Sequence, residues 1–369
     1  MPPETDSAHD RHRTLRFHAS DLRRFVVCIL TAHDVPHEEA GIVADVLVSA
    51  ERRGIPSHGM GRLPLYSRRL REGKIHSSTK LVTVRESSAA FCLDAGQGWG
   101  HVAGHHAMQR CIEKAKGSGI CIATVRRSTH FGIAAHYAMM PLEHGMIGFA
   151  TTNTRPHVAP TFGRAPTLGT NPLSLAAPAL HERPFVLDMS TSTVAMGRIK
   201  LHEATQQPLP AAWGIDDKGD VCLNPGVVLE RGALLPLGGF DETSGYKGYG
   251  LAFLVDILSG VLSGAGFGPL MPHEHEESGP NIGHTFAAVD IEAFRPIEDF
   301  LQDMDRLIQA VRSSPKEEGS KRIYIAGEKE FEQAEQNDRL GIPLMPHILN
   351  ALQRESARLG LPFDLTPID

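Results

Sequence analysis

The chain has 369 residues, 41% of them hydrophobic and 22% charged, with a formal net charge of −6. Such a composition belongs to an ordinary globular protein and excludes disordered and fibrous classes, while the length predicts two or three subdomains around more than one core. The acidic balance argues against nucleic acid or another polyanion as a partner, since those need a basic surface, so an acidic ligand must be drawn by local cations.

Residues 1–16 read as a loose tail rich in charge and histidine. The first nineteen residues include Glu4, Asp6 and Asp10 and lack an apolar core, which speaks against a secretory signal or transit peptide and makes a cytoplasmic location the expectation. Ser20 and Asp21 can cap a helix through about Ala32. From His37 to Arg53 the apolar spacing of Ile42, Val43, Val46 and Leu47 is helical; it stops at Gly54, and Ile55-Pro56 favours an extended turn. Ser57 suits the N-cap of a further helix. In that helix His58, Arg62 and Tyr66 would recur at a spacing of four and share one face. Helix-rich sequence continues to about Gly73.

From Leu81 the period changes. Strands are predicted at Leu81–Val84 and Ala89–Leu93, then a glycine cluster (Gly96, Gly98, Gly100) and a helix to about Lys116, with more strands at 119–125, 146–151, 184–187 and 285–289. The run Leu251–Phe267 carries Asp256 and repeated Gly and Ser and is short for a membrane span, so it reads as a buried helix. Helix returns from Pro296 through Arg312, before a short strand at Arg322–Ile325 and two more helices. Five cysteines at unrelated spacings suggest neither a metal knuckle nor a redox motif. The tract His273, Glu274, His275, Glu276 and Glu277, inside Pro272–His284, resembles a metal-binding run, but its Pro and Gly flanks favour a solvated loop, and no metal is expected.

Two segments invite functional readings. Phe91 to Ala103, an apolar strand running into glycines and a helix, imitates a dinucleotide fingerprint, with Arg126 and Arg127 available to grip a 2′-phosphate. A glycine turn between strand and helix needs no ligand, however. Pro56 to Tyr66 gathers a hydroxyl, an imidazole and a guanidinium. That set suits proton transfer and carboxylate recognition, although a solvated basic helix with a capping serine would use the same residues.

Ser57-His58-Gly59-Met60 with Arg62 resembles the N-terminal signature of the type-2 malate/L-lactate dehydrogenase family, which also holds ureidoglycolate dehydrogenases, diketogulonate reductases and piperideine-carboxylate reductases. Further blocks follow in the family's order: Ser128 to Gly132, Thr152 to Pro156, Gly169 to Pro172, Leu187 to Ala195, Gly245 to Gly250 and Ile325 to Glu328. They span nearly the whole chain. The resemblance implies a non-Rossmann α/β fold with a largely antiparallel central sheet surrounded by helices, and a discontinuous helical domain built from both termini. The expected parts are 1–78, 79–295 and 296–369, the last packing with the first.

The resemblance also implies a homodimeric oxidoreductase that interconverts a small 2-hydroxy acid, malate or lactate first, and its 2-oxo acid with NAD or NADP. The alternatives are a reductase of cyclic imino acids and a catalytically silent binding homologue. His58 is the preferred proton-transfer group, in a relay with Ser57 and Asp188, and His130 competes for that role. Without the family, Asp188 could be a helix cap and His130 a structural hydrogen-bonding residue. Arg62 is the carboxylate anchor, since its planar fork makes two parallel bonds that lysine cannot copy; Tyr66 and Thr170 join it at the substrate. Phe131, Gly132, Thr152, Asn153, Thr154, Met189, Ser190, Tyr246, Lys247, Gly327 and Glu328 are expected at the cofactor. Lys247, between glycines before a helix, suits a phosphate. Ala326 stands where relatives often have proline.

Overall fold

The computed structural model describes residues 14–272 and 280–368, which leaves most of the tail and the tract His273–Glu277 outside the described residues. The chain divides into two compact units, Met1–Thr79 with Glu328–Asp369, and Lys80–Gly327.

In the first unit, strand β1 (Leu15–Phe17) leads into helix α1 (Ala19–Thr31) and then α2 (His37–Arg52). Leu22, Phe25, Val26, Ile29 and Leu30 of α1 and Val43, Val46, Leu47 and Ala50 of α2 are buried, and the two helices pack together on these faces. Each fully buried large side chain contributes roughly 1.5–3 kcal/mol. Helix α1 starts behind His18 with no side-chain cap, ahead of the expected Ser20 start; Asp21 lies in its first turn and pairs with Arg24 at 2.6 Å.

The expected helix from Ser57 does not form. Two 3₁₀ turns, Pro56–His58 and Met60–Arg62, are separated by Gly59 at φ −98°, ψ −143°, and α3 (Leu63–Arg71) begins only after them. The spacing of four from His58 to Tyr66 therefore describes no helical face, because the backbone leaves the helical path at Gly59.

The second unit is built on a seven-stranded sheet in the order β2-β3-β4-β10-β5-β6-β7. Its elements in chain order are β2 (Val82–Glu86), β3 (Ala90–Asp94), α4 (Gly100–Ser118), β4 (Ile120–Ser128), α5 (Ala134–Met139), β5 (Met146–Thr152), β6 (Leu173–Ala177), β7 (Phe185–Met189), α6 (Met196–Ala204), β8 (Gly214–Ile215), α7 (Pro225–Glu230), β9 (Ala233–Leu234), α8 (Gly245–Val255), β10 (Ile282–Asp290) and α9 (Ile297–Arg312). Only β3 and β4 run parallel; the other pairings in this sheet are antiparallel. The fold is thus the non-Rossmann, largely antiparallel one. Strand β10 lies between β4 and β5 and is buried from Gly283 to Ala288, as an inner strand covered on both faces must be. Helix α4 packs on β4 and β10, and α5 on β5, β6 and β7. A satellite core of Val158, Val194, Ile199, Leu209, Val228 and Leu234 holds the α6–β9 region.

Three expectations change here. Helix α8 runs on as a π-helical turn, Asp256–Val261, but it is buried on one side only: Phe253, Leu254, Ile257, Val261 and Leu262 are 43% to 59% exposed. Residues 322–325 form no strand; just after them the Val186 amide of β7 donates to the Ala326 carbonyl at 3.0 Å. Residues 296–327 fall in the second unit, because Asp305 on α9 accepts the Leu180, His181 and Glu182 amides at 3.0–3.3 Å and Arg312 pairs with Glu182 at 2.8 Å.

The C-terminal stretch closes the first unit with α10 (Glu328–Leu340), β11 (Ile342–Leu344) and α11 (Pro346–Arg358). Strand β11 pairs antiparallel with β1, Leu15 opposite Leu344. Asn337 donates to the Arg52 carbonyl at 2.9 Å, Arg52 pairs with Asp338, and Arg71 with the buried Glu355. No helix among the described residues is long and apolar enough to cross a membrane.

Candidate active site

In the first unit the two 3₁₀ turns after α2 carry a compact polar group. Ser57 Oγ lies 2.9 Å from His58 Nδ1, and Arg62 Nε donates to the Ser57 carbonyl at 2.7 Å. The turn thus closes on itself and holds a guanidinium beside an imidazole. Desolvation, reinforced by the positive charge of Arg62, lowers the His58 pKa to about 4, so the ring is neutral at neutral pH. Tyr66 is buried in α3, and burial pushes its phenol up to about 12, so it is a neutral hydroxyl.

In the second unit three of the anticipated blocks are stitched into one frame. The Thr170 amide donates to Thr154 Oγ1 at 2.9 Å, the Thr154 amide to Asn171 Oδ1 at 3.0 Å, and the Thr191 amide to the Thr170 carbonyl at 2.9 Å. Asp188, near the end of β7, accepts the Ala135 amide at the start of α5 on Oδ2 at 2.9 Å. It caps a helix, although not the following segment, and it stays half-buried. His130 Nδ1 accepts the Gly132 amide at 3.3 Å. In its neutral form His130 then carries its proton on Nε2, where it can donate but not act as a base.

The structure commits several expected cofactor contacts to the frame itself. Asn153 is fully buried; its amide donates to Asp256 at 3.0 Å and to the Gly266 carbonyl at 2.7 Å, and its oxygen accepts the Gly283 amide at 3.0 Å. Thr152 Oγ1 meets His284 Nδ1 at 2.7 Å, and Phe131 is buried against the same ring, stacked at 4.7 Å and 2°. These three side chains leave little for a ligand. Thr154, Thr170, Met189 and Ser190 are half-buried, and Tyr246 and Lys247 are exposed.

His284 is a residue that sequence reasoning missed. Its other nitrogen lies 2.8 Å from Ser128 Oγ, so one imidazole joins the ends of β4 and β5, and burial lowers its pKa to about 3. The signal was weak, because the predicted strand began at Thr285, one residue after it.

The glycine turn after β3 makes no phosphate site. The Gly100 amide donates to Thr129 Oγ1 at 3.0 Å, and a Cβ there would lie 2.1 Å from the Thr129 carbonyl oxygen. Glycine is required so that backbone can approach backbone. Arg126 and Arg127 both face Asp94, at 3.1 and 3.6 Å.

Lys247 is the third residue of α8, inside the helix rather than ahead of it as expected, because the helix starts at Gly245. The Gly245 and Lys247 amides bond the Phe240 and Ser244 carbonyls at 2.7 and 3.0 Å, so part of the helix end is already satisfied. Gly327 takes φ +94° with Val186 against it, while Glu328 begins α10 and is buried. Among the described residues no group of His, Cys, Asp and Glu side chains converges in a metal-binding arrangement.

Residues 17–353 match the family model described as malate/L-lactate dehydrogenase. The chain is 42% identical over 348 residues to a malate dehydrogenase of Pyrococcus abyssi, covering 94% of this chain and 96% of the relative. It is 34% identical over 340 residues to an L-sulfolactate dehydrogenase of Methanocaldococcus jannaschii, covering 92% and 96%. The solved malate dehydrogenase of Pyrococcus horikoshii superposes with a TM-score of 0.88 at 41% identity, over 95% of this chain and 97% of that one.

Proposed function

This chain belongs to the malate/L-lactate dehydrogenase family, and on that premise we propose that it interconverts malate and its 2-oxo acid, using NAD or NADP. It is an oxidoreductase of 2-hydroxy acids that works with a nicotinamide cofactor. Malate stands first because relatives named for malate and for sulfolactate share a substrate with a second anionic group, which lactate lacks.

The observation that carries the reading is the Ser57–Arg62 turn, where one imidazole nitrogen is engaged by Ser57 and a guanidinium stands beside it. His58 moves the proton at Nε2, since Nδ1 faces the serine. Arg62 takes the substrate carboxylate, with Tyr66 and Thr170 as further substrate groups. The bound carboxylate offsets the charge of Arg62, the lesser of the two causes that lower the His58 pKa, and so favours the protonated imidazole that forms as the alcohol gives up its proton. Asp188 is assigned to the same catalytic set as a positioning carboxylate. His130 serves as a donor to the substrate oxygen, in keeping with its Nε2 proton.

The cofactor supplies or takes up the hydride when bound. The hydroxyls of Thr154, Thr170 and Ser190 and the ammonium of Lys247 are the donor types that ribose and phosphate oxygens need. Gly132, Met189, Tyr246, Gly327 and Glu328 complete that set, whereas Thr152, Asn153 and Phe131 support it from behind. Because Lys247 is exposed and two neighbouring amides are satisfied, Lys247→Ala should weaken NADH or NADPH binding about tenfold, at the lower end for a charge-assisted bond. Calorimetry on the variant checks this; unchanged affinity for both moves the phosphate site elsewhere. Arg126→Ala and Arg127→Ala, freed from Asp94, should change NADPH affinity less than about twofold, and a large loss by the same titration would restore the fingerprint reading.

A second copy of the chain covers the exposed apolar row of Phe253, Ile257 and Val261, making a homodimer. We place the enzyme in the cytoplasm, where its five free cysteines stay reduced. The deciding assay follows absorbance at the nicotinamide band with NAD and NADP against malate, lactate, sulfolactate, ureidoglycolate and a cyclic imino acid. Turnover of the imino acid alone overturns the proposal.

A further inference from the structure

We infer that Glu51, in the last turn of α2, is a positioning residue that sets the geometry of the His58–Arg62 turn and couples proton transfer to its own ionisation. This rests on the assignment of His58 as the proton-transfer group. Glu51 is 3% exposed, and its Oε1 accepts the Met60 amide at 2.7 Å. The neighbouring Gly59 lies flat on the same carboxyl: a Cβ there would stand 2.3 Å from Oε1 and 2.4 Å from Cδ. Two successive peptide units directly after His58 are therefore seated on one buried side chain. Arg62 closes the turn from the other end through the Ser57 carbonyl. A shift of Glu51 must move the turn that carries His58 and Arg62.

The surroundings make that carboxyl sensitive to pH. The adjoining turns bring His58 and Arg62, α2 brings Arg52 and Arg53, and α10 brings Asp338 and Asn337. Arg52 is engaged with Asp338, Arg53 lies over Phe331 at 4.9 Å, and Asn337 donates to the Glu51 carbonyl at 3.3 Å. Burial, opposed in part by the Met60 amide, raises the Glu51 pKa from 4.5 to about 7. The carboxyl thus ionises near neutrality, and only the carboxylate makes a charge-assisted bond to Met60. Because the folded pKa is raised, the cost of ionising it is absent below about 4.5 and complete above about 7.

Glu51→Gln keeps the shape and an acceptor for Met60 while removing the charge. Its melting temperature should rise relative to the parent as pH goes from 5 to 8, and the inflection of kcat/KM near pH 7 should disappear. Gly59→Ala alone should lower kcat at least tenfold, and Glu51→Ala added to it should restore part of that loss by making room for the new methyl. The inference fails if Glu51→Gln keeps the inflection and the parent's pH dependence of melting, or if the two alanine changes simply add. His58→Ala separates this from the underlying reading: full turnover in that variant overturns the site assignment, whereas lost turnover together with an unchanged Glu51→Gln profile overturns only the role of Glu51.

Discussion

Replacing His58 with alanine should lower turnover by about two to four orders of magnitude while cofactor binding persists, the range that a positioned general acid or base contributes. Several features of this chain lead there. Ser57 engages Nδ1, which directs proton exchange to Nε2, and burial with Arg62 keeps the ring neutral in the free enzyme. A neutral imidazole is ready to accept the proton of a 2-hydroxy acid. For oxidation, kcat/KM should therefore owe no loss to His58 between pH 8 and 6. It should fall as pH drops through about 4, where the ring of the free enzyme protonates. His130→Ala should cost less, because its Nδ1 is taken by the Gly132 amide and its Nε2 proton can only be donated. Steady-state rates of both variants decide the matter, and greater damage from His130→Ala reverses the assignment.

Arg62→Lys should raise the Michaelis constant for the 2-oxo acid about ten- to a hundredfold and leave cofactor affinity nearly unchanged. Losing a charged hydrogen bond of the bidentate pair is worth roughly 1.5–3 kcal/mol. A second loss accompanies it, since the Arg62 Nε also closes the turn onto the Ser57 carbonyl at 2.7 Å and a lysine has no such nitrogen. The variant should for that reason also show a lower kcat, by a few-fold. Initial-rate measurements over a range of 2-oxo acids test both parts, and an unchanged constant for every acid removes Arg62 from the site.

Local chemistry made much of the framework legible. Helix α2 and strands β3, β4, β5, β7 and β10 lie close to where apolar period and turn residues placed them, because each carries its own periodicity. Strand β6, Leu173–Ala177, was not anticipated; it is as long as β3 and β7, but it follows a proline and ends in two alanines, which are depleted in strands. Arg322–Ile325 failed in the opposite sense: its β-rich composition forms no strand, and the ladder bond to β7 that is seen falls at Ala326, just beyond it. The face of α8 shows a third limit. Apolar content alone read as burial, whereas Gly248 and Ala252 face inward and the larger Phe253, Ile257 and Val261 face out.

The sequence by itself determined which chemical groups this protein brings to its reaction: the order of its blocks identified the family, and an imidazole, a guanidinium and a lysine between glycines are types of residue that no folding detail alters. Only the tertiary structure decided how those groups are used. Whether Asn153 meets a ligand or holds the frame depends on Asp256, 103 positions away in the chain, and the partners of His284 lie 132 and 156 positions away. Arg126 is withheld from a phosphate by Asp94, and the turn bearing His58 rests on Glu51 through contacts that no helical spacing anticipates. The reason is physical: propensity and periodicity act over a few residues, whereas desolvation, hydrogen-bond satisfaction and the resulting pKa values depend on which distant segments the fold places against each group.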